Sequence, residues 1–595
     1  MELPQRYNRQ LGLVYQEKIE DLDVLITGVN SVLPYLLTEL AFLGVGTSQG
    51  GIYVPDDGSV ITSQNLNGQL LFDRTDLNTS VFEAVERTIF QINDDINVFK
   101  IDNLDSLYFD SVVALPYQDG EKPPFPKRQK IIWGQVSNLG MYMGGTKVEA
   151  SKFTSNILTP SLSALCAGLI SQEILRVNDC IRPSDITKTW VTVNYLFRRP
   201  DAYASFKKAP AKFRKFITNE DLAAHLEKPE GETSGSLDAA IYRVELPRGS
   251  RLHEYVIDSI DVLEKAPLEI RRPIDELYLS PIDGCCLHNG VIEEPDLSLP
   301  MKVANKKLMV FGVGGLGSWL SCLLAVTNLE NVDLVVVDED RIIEEHNLNR
   351  QILFEPEHIG SPKTIAARKR LESLNSSLKV RGYIGSLSLD TVKCHVAGET
   401  VSPKEFNDKW GENLPEDTDP FVQMNRKSDL DRTLAYEAGK TDAVIACLDS
   451  LFGRYVASAL AHSCEATLVN AGSQHFEGNT DLIPYGSGCM VCWHGERVKY
   501  DTERVRCGEL EAPTLSIVTT TSITASLQTA LLISNLLSIG TQKHYTHYRG
   551  KINSLSTCQL GQSTCPMHSK KEDCPGHLNW KGELPNGGTF EYKLF

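Results

Sequence analysis

The chain has 595 residues, 42% of them hydrophobic, which is too long for one ordinary core and enough for two or three globular domains. Its formal net charge of −18 excludes a general nucleic-acid or anionic-membrane binder, and an acidic surface favours a basic partner. No apolar run reaches the roughly 20 residues needed to cross a bilayer, and Met1-Glu2-Leu3-Pro4-Gln5-Arg6 does not open a secretory signal, so a cytoplasmic location is expected. Fourteen cysteines in so long a chain suit a reducing compartment better than a disulfide scaffold.

In chain order, Val24 to Thr27 reads as a strand, followed by the turn Gly28-Val29-Asn30-Ser31-Val32-Leu33 and a helical stretch through Leu40. A segment from Tyr53 to Val60 leads into Asn65-Leu66-Asn67-Gly68-Gln69-Leu70-Leu71-Phe72, and Thr159-Pro160-Ser161-Leu162 running to Leu175 parallels Ala512-Pro513-Thr514-Leu515 running to Leu531 later in the chain. Residues 198–302 are mixed: Leu222 to Leu226 looks helical, Ala240 to Glu245 strand-like and Ile257 to Lys265 helical, with no function legible.

The organisation then recurs. Lys307 to Phe311 is a short apolar strand, Gly312-Val313-Gly314-Gly315-Leu316-Gly317 follows at once, and Ser318 to Val326 supplies a helix: the strand, turn and helix of a dinucleotide fold. The next strand ends at Val337-Asp338, placing an acid about 20 residues after the turn, within reach of a ribose hydroxyl. Taken alone, the glycines fit any tight α/β turn. Asp338-Glu339-Asp340 and then Asn347-Leu348-Asn349-Arg350-Gln351-Ile352-Leu353-Phe354 repeat the earlier segment, with Arg350 where the first copy has a glycine. Lys363 opens a helix after Pro362 and suits the β- and γ-phosphates of ATP, or is a surface lysine.

The acid- and proline-rich stretch Pro403 to Arg432 reads as a surface insertion or a mobile lid. Ala443 to Leu448 is a strand ending in Asp449-Ser450, where a carboxylate either holds Mg²⁺ against phosphate or caps the next helix, with Ser450 available as the cap. The chain therefore reads as two related α/β domains, 1–197 and 303–595, around an intervening region 198–302. The first copy lacks most of the glycines that let a pyrophosphate approach backbone N–H groups, and reads as degenerate.

Cys489-Met490-Val491-Cys492 and Cys565-Pro566-Met567-His568 are two pairs with the spacing of structural Zn²⁺ ligands, and Cys574 could replace His568. Cys507 stands apart, preceded by Arg504 and Arg506 and followed by Gly508. Neighbouring cations raise its thiolate fraction, as an acyl-accepting nucleophile requires, although a zinc ligand or an inert loop thiol fits the same position.

Taken together, the glycine turn, Asp338-Glu339-Asp340, Asn347-Leu348-Asn349-Arg350-Gln351, Lys363 and Asp449 resemble the ubiquitin-activating (E1) enzymes and their ThiF/MoeB/HesA relatives. Tyr7-Asn8-Arg9-Gln10-Leu11 resembles the family's N-terminal motif, whose arginine reaches into the nucleotide site of the partner domain. The resemblance covers roughly residues 1–190 and 303–568. It implies two tandem Rossmann-like ThiF-type adenylation domains, the N-terminal one degenerate and the C-terminal one active, paired as a pseudo-dimer within one chain and bearing a structural zinc site. Such two-domain E1-like proteins are also encoded in bacterial ubiquitin-like conjugation operons.

The resemblance assigns ATP binding to Gly312, Gly314, Gly315, Gly317, Asp338, Asp340, Asn347, Arg350, Gln351, Lys363 and Asp449. Within that set Asp338 takes the ribose, Arg350 and Lys363 the phosphates, and Asp449 the magnesium, with Arg9 completing the site. It implies that the C-terminal carboxylate of a small ubiquitin-like β-grasp protein attacks the α-phosphate of ATP. The acyl group then passes to Cys507 as a thioester, and on to an E2-like protein. Cys507 would lie in a crossover segment before a Pro513-led helix. Two departures stand out: no large cysteine domain fits between Asp449 and Cys507, and the second zinc pair ends in His568 rather than cysteine. Adenylation of a sulfur carrier or peptide without E2 transfer, a non-catalytic scaffold and, more distantly, hydride transfer are the alternatives.

Overall fold

The computed structural model describes residues 5–182, 188–192, 241–245, 276–299, 302–490, 515–540, 545–550, 554–558, 580–583 and 589–592, save 64, 67, 106, 118–122, 128, 147–154, 283–284, 289–290, 298, 412–419 and 487–488. The chain divides into two units, Met1–Ile174 with Ile274–Phe595, and Leu175–Pro273. The first unit carries two sheets, one from each copy of the repeated pattern.

Short β-branched runs buried on both faces make parallel strands, which need helices to cover them. In the first sheet the parallel strands are β1 (Asp23–Thr27), β2 (Gly51–Pro55), β3 (Val98–Ile101), β4 (Ser111–Ala114) and β5 (Ile131–Val136), in the order β3-β2-β1-β4-β5, with Phe99 and Lys100 exposed on the edge strand β3. An antiparallel extension follows through β6 (Met141–Gly144) and β7 (Glu276–Leu279). The last strand comes from within the stretch 198–302. The hairpin of Cys286–His288 and Val291–Glu293 follows it, and its Ile292 packs with Ala114, Trp133 and Tyr142. Helices α1 (Leu33–Leu43), α2 (Val81–Ile92) and α3 (Thr159–Val177) belong to this lobe.

The second sheet repeats the scheme. Strands β8 (Lys307–Phe311), β9 (Val332–Asp338), β10 (Leu378–Ile384), β11 (Ala443–Ala446) and β12 (Thr467–Gln474) run parallel in the order β10-β9-β8-β11-β12. Then β13 (Glu477–Ile483), β14 (Tyr545–Arg549) and β15 (Ser554–Cys558) continue antiparallel. Its helices are α4 (Gly315–Val326), α5 (Lys363–Leu374), α6 (Leu389–Ala397), α7 (Pro403–Trp410), α8 (Pro420–Ala438), α9 (Leu451–Ser463) and α10 (Val518–Leu536).

Two readings change here. The stretch Pro403 to Arg432, expected as a surface insertion or lid, contains α7 and most of α8. Ser402 and Glu405 form a reciprocal capping box that starts α7, and Phe406 is buried edge-on to Tyr383. Leu430 and Leu434 join the same core, while the buried Asp431 accepts hydrogen bonds from Ser388 and Thr391 at 2.7 and 2.6 Å. Glu405, Asp429 and Asp431 are therefore satisfied by neighbours, and Phe406, Leu430 and Leu434 supply the packing. The last long helix begins at Val518 rather than near Pro513, which lies outside the described residues.

The lobes meet through buried polar contacts as well as apolar packing. The α10 helix packs on α4 and on α1 of the other lobe. Ser522 Oγ donates to Glu39 Oε1 at 2.6 Å, Thr519 Oγ1 donates to Gln172 Oε1 at 2.6 Å, and Gln172 Nε2 donates to the Gly550 carbonyl at 2.9 Å. In a low-dielectric interface such bonds fix register, because each unmet partner costs more than the bond contributes.

The second unit, by itself, shows an antiparallel pair, Lys188–Thr192 with Ile241–Glu245, where a strand was expected at Ala240 to Glu245. The helical readings at Leu222 to Leu226 and Ile257 to Lys265 lie outside the described residues. Among the described residues no helix is long and apolar enough to cross a membrane.

Candidate nucleotide site in the second lobe

The glycine turn joins β8 to α4, and its residues have separate tasks. Gly312 has φ +90°, and a Cβ there would stand 2.5 Å from the Cys447 carbonyl oxygen, so the turn needs glycine for both backbone and space. A Cβ on Gly317 would approach the Gly312 carbonyl oxygen to 1.9 Å, so helix and turn touch there. Gly314, the N-cap of α4, faces open space, and a Cβ added to it would meet nothing within 4 Å. An open glycine at the amide-bearing end of a buried 12-residue helix is the arrangement that accepts phosphate oxygens.

Asp338, at the end of β9, is buried and accepts hydrogen bonds from the backbone N–H groups of Val313 and Asp340. Burial pushes its carboxyl above the usual range, Lys363 opposes that shift and Asp340 adds to it. Lys363 is buried at the first turn of α5 with Nζ 2.5 Å from Asp340 Oδ2, so the surface-lysine reading is set aside. Asp340 is exposed, which leaves this ion pair open to exchange for a ligand's oxygens.

Asn347 Oδ1 accepts from the Glu344 N–H at 3.0 Å, which shapes the turn carrying Arg350. Arg350 is buried and donates to the His346 carbonyl and to Asn349 Oδ1, while its own carbonyl accepts from Trp319 Nε1 at 3.1 Å. Arg9 comes from the other lobe. Its carbonyl accepts from the Ser516 N–H at 2.8 Å, and its Nη2 lies 3.1 Å from His346 Nε2. Sequence reasoning missed His346, although the residue immediately precedes Asn347.

Asp449 lies exposed just beyond β11, while Ser450 Oγ caps α9 by accepting from the Gly453 N–H at 3.0 Å. Capping and an available carboxylate coexist, as expected from the neighbouring side chains. The half-buried Arg454 donates to the Leu448 carbonyl at 2.8 Å and steadies that loop, with space made by Gly472.

The chain contains its own control for this site. Leu25 pairs with Tyr53 in the first sheet as Met309 pairs with Val335 in the second, and Thr27 pairs with Ala114 as Phe311 pairs with Ala446. In that register the first lobe has Gly58 for Asp340, Gly68 for Arg350, Val81 for Lys363 and Tyr117 for Asp449. The scaffold persists: Tyr35 donates to the Gly68 carbonyl where Trp319 donates to that of Arg350. In place of Gly314 stands Asn30, whose Oδ1 accepts from the Val32 N–H at 2.9 Å, and the acid matching Asp338, Asp56, is paired with Lys100.

Gln69 Oε1 accepts from the Leu71 and Phe72 N–H groups, whereas Gln351 Oε1, its buried counterpart, has no partner among the described residues. The second copy thus keeps the cations, the open glycine and an unsatisfied polar atom, all of which fit a nucleotide triphosphate. The match to the ThiF family model over residues 296–576 falls on this copy. Over those residues, just under half of its length, the chain is similar to the ThiF family.

Several of the proteins that the chain resembles are enzymes by name. The chain is 33% identical over 192 residues to SUMO-activating enzyme subunit 2 of Dictyostelium discoideum, covering 32% of this chain and 22% of that one. It is 35% identical over 121 residues to the NEDD8-activating enzyme E1 catalytic subunit of Arabidopsis thaliana, covering 20% and 25%. It is 34% identical over 82 residues to the sulfur carrier protein adenylyltransferase of Thermus thermophilus, covering 14% and 29%. The matched segments thus span under a third of these relatives' own lengths. Among solved structures, E. coli MccB with ATP shares 18% identity over 44% of this chain and 65% of that one at a TM-score of 0.30, a likeness too loose to bear on chemistry.

Of the sequence-proposed zinc ligands only Cys489 is described, buried beside Met490 in the second-lobe core. Cys492, Cys565, His568 and Cys574 lie outside the described residues, as does Cys507. Among the described residues no group of three or more His, Cys, Asp or Glu side chains is placed to hold a metal ion.

Proposed function

We propose that this chain is an E1-like activating enzyme that uses ATP and Mg²⁺ to adenylate the C-terminal carboxylate of a small ubiquitin-like β-grasp protein. The observation that carries the reading is the asymmetry between the copies: the second lobe has Asp340, Arg350, Lys363 and Asp449 as well as an open glycine turn, and the first lobe has none of the four in matching places. Hydride transfer has no use for so many cations around the phosphates, whereas phosphoryl and adenylyl chemistry does.

In this reading the Gly314 end of α4 receives phosphate, Asp338 holds the ribose, and Arg350, Lys363 and Arg9 balance charge on the triphosphate. Asp449 would hold Mg²⁺, which supplies Lewis-acid neutralisation of the phosphate oxygens when bound. Attack of the carboxylate oxygen on the α-phosphorus forms the acyl-adenylate and breaks the bond to pyrophosphate, which leaves. A carboxylate resists nucleophiles, and AMP makes it a competent acyl donor. The Cys507 thiolate then attacks the acyl carbon, forming a thioester and breaking the bond to AMP, which leaves, so that the thioester can pass to an E2-like partner; Cys489, Cys492, Cys565 and His568 bind a structural Zn²⁺. These last assignments rest on the sequence and the resemblance. A cytoplasmic location accords with the cysteine content.

The test is ATP–pyrophosphate exchange with a candidate β-grasp protein processed to its mature C-terminus, followed by a nonreducing gel. Exchange that is lost in Asp449→Ala, with a thiol-labile adduct lost in Cys507→Ala, is the expected result. Exchange without any adduct would favour adenylation alone, the activity named for the Thermus relative. No exchange with a verified partner would sink the proposal.

A further inference from the structure

Arg9 crosses from the first lobe into a neighbourhood that already holds Arg350 and Lys363, and three cations so gathered repel one another. The structure holds Arg9 there through a side chain of the second lobe. Its Nη2 is 3.1 Å from His346 Nε2, and because a guanidinium only donates, Nε2 must be the acceptor and the ring proton must sit on Nδ1. The same residue's carbonyl accepts from Arg350 Nη1, so His346 touches both arginines, one from each lobe.

We infer that His346 is a positioning residue of the nucleotide site: as a neutral imidazole it receives the Arg9 guanidinium and presents it, together with Arg350, to the triphosphate. The inference rests on the adenylation reading above and adds the link between the lobes. Only the uncharged ring can do this, because an imidazolium has no lone pair for Arg9 and would add a further positive charge. Its surroundings hold it in that form: burial, then Arg350, Arg9 and Lys363, push its pKa down to about 4, against an opposing contribution from Asp340. The Glu344 carboxylate stands 3.6 Å from Nε2, beyond hydrogen-bonding distance.

The test is calorimetric titration of the full chain with ATP and Mg²⁺, using Arg9→Ala, His346→Ala, the double variant and His346→Gln. A lost charge-assisted hydrogen bond weakens binding by roughly ten- to hundredfold, so Arg9→Ala and His346→Ala should each raise Kd by about that factor. The double variant should be no worse than either single one, because both remove the same interaction. Glutamine, whose amide oxygen can accept from Arg9, should restore most of the affinity, a rescue that a merely structural defect would not show.

Wild-type affinity in His346→Ala alongside weak binding in Arg9→Ala, additive losses in the double variant, or failure of glutamine to rescue would each overturn the inference while leaving the adenylation reading standing. Failure of the wild-type chain to bind ATP would instead remove that reading, and this inference with it.

Discussion

Two glycines three residues apart should fail in different ways. Alanine at Gly317 puts a methyl group 1.9 Å from the Gly312 carbonyl oxygen and 3.4 Å from Cys447 Cβ. Both neighbours belong to the sheet side of the turn, so α4 must retreat by roughly 1 Å, and it is buried and packed against α10 on another side. Overpacking of this kind costs about 2–3 kcal/mol, a fall of roughly 5–10 °C in the melting of a lobe this size. Alanine at Gly314 meets nothing within 4 Å and sits at a φ of −76°, so the fold should melt within about 1 °C of wild type. The same methyl group stands where phosphate approaches the helix amides, and should weaken ATP by about a hundredfold. Thermal melts without nucleotide, paired with calorimetric ATP titrations, separate the two effects. A Gly314→Ala protein that melts as low as Gly317→Ala, or that binds ATP normally, would refute the assignment of Gly314 to the ligand face.

The buried Glu39 at the lobe interface supplies a pH test. Burial raises its carboxyl well above the ordinary value of 4.5, with the Ser522 and Ser171 hydroxyls opposing, so folding favours the protonated form and stability falls as pH rises above the unfolded pKa. Glu39→Gln keeps an acceptor for Ser522 and does not titrate; it should match wild type near pH 5 and melt higher at pH 8, and parallel pH slopes for the two proteins would contradict this. Elemental analysis of the purified chain should find about one zinc per chain, lost in Cys489→Ser. Zinc-free, fully folded protein would remove the metal site.

The parts of the fold visible in the sequence were those with strict local periodicity. Lys307 to Phe311 and the strand ending at Asp338 stand where their apolar runs place them, because a doubly covered parallel strand has few other ways to bury four or five aliphatic residues. The helices α7 and α8 were hidden because their acids and prolines resemble those of a solvated loop. Only the contacts of Phe406, Leu430 and Asp431 reveal that they are packed. Lys363 was legible as a helix start but not as a buried cation, since burial depends on Asp340, 23 positions away. His346 carried no local signal, because its partner lies 337 positions earlier in the chain.

Carrying both copies in one polypeptide changes how the site responds to dilution. A nucleotide site assembled across a reversible dimer loses its borrowed arginine when the subunits part, so its specific activity falls with concentration. Here Arg9 and His346 are tethered, their encounter is intramolecular, and no subunit exchange can replace the arginine with another. If the first lobe binds no nucleotide, as proposed, the gift is one-way, so titration should saturate at one nucleotide per 66.1 kDa chain and turnover per chain should hold constant down to the lowest concentration at which the protein remains folded.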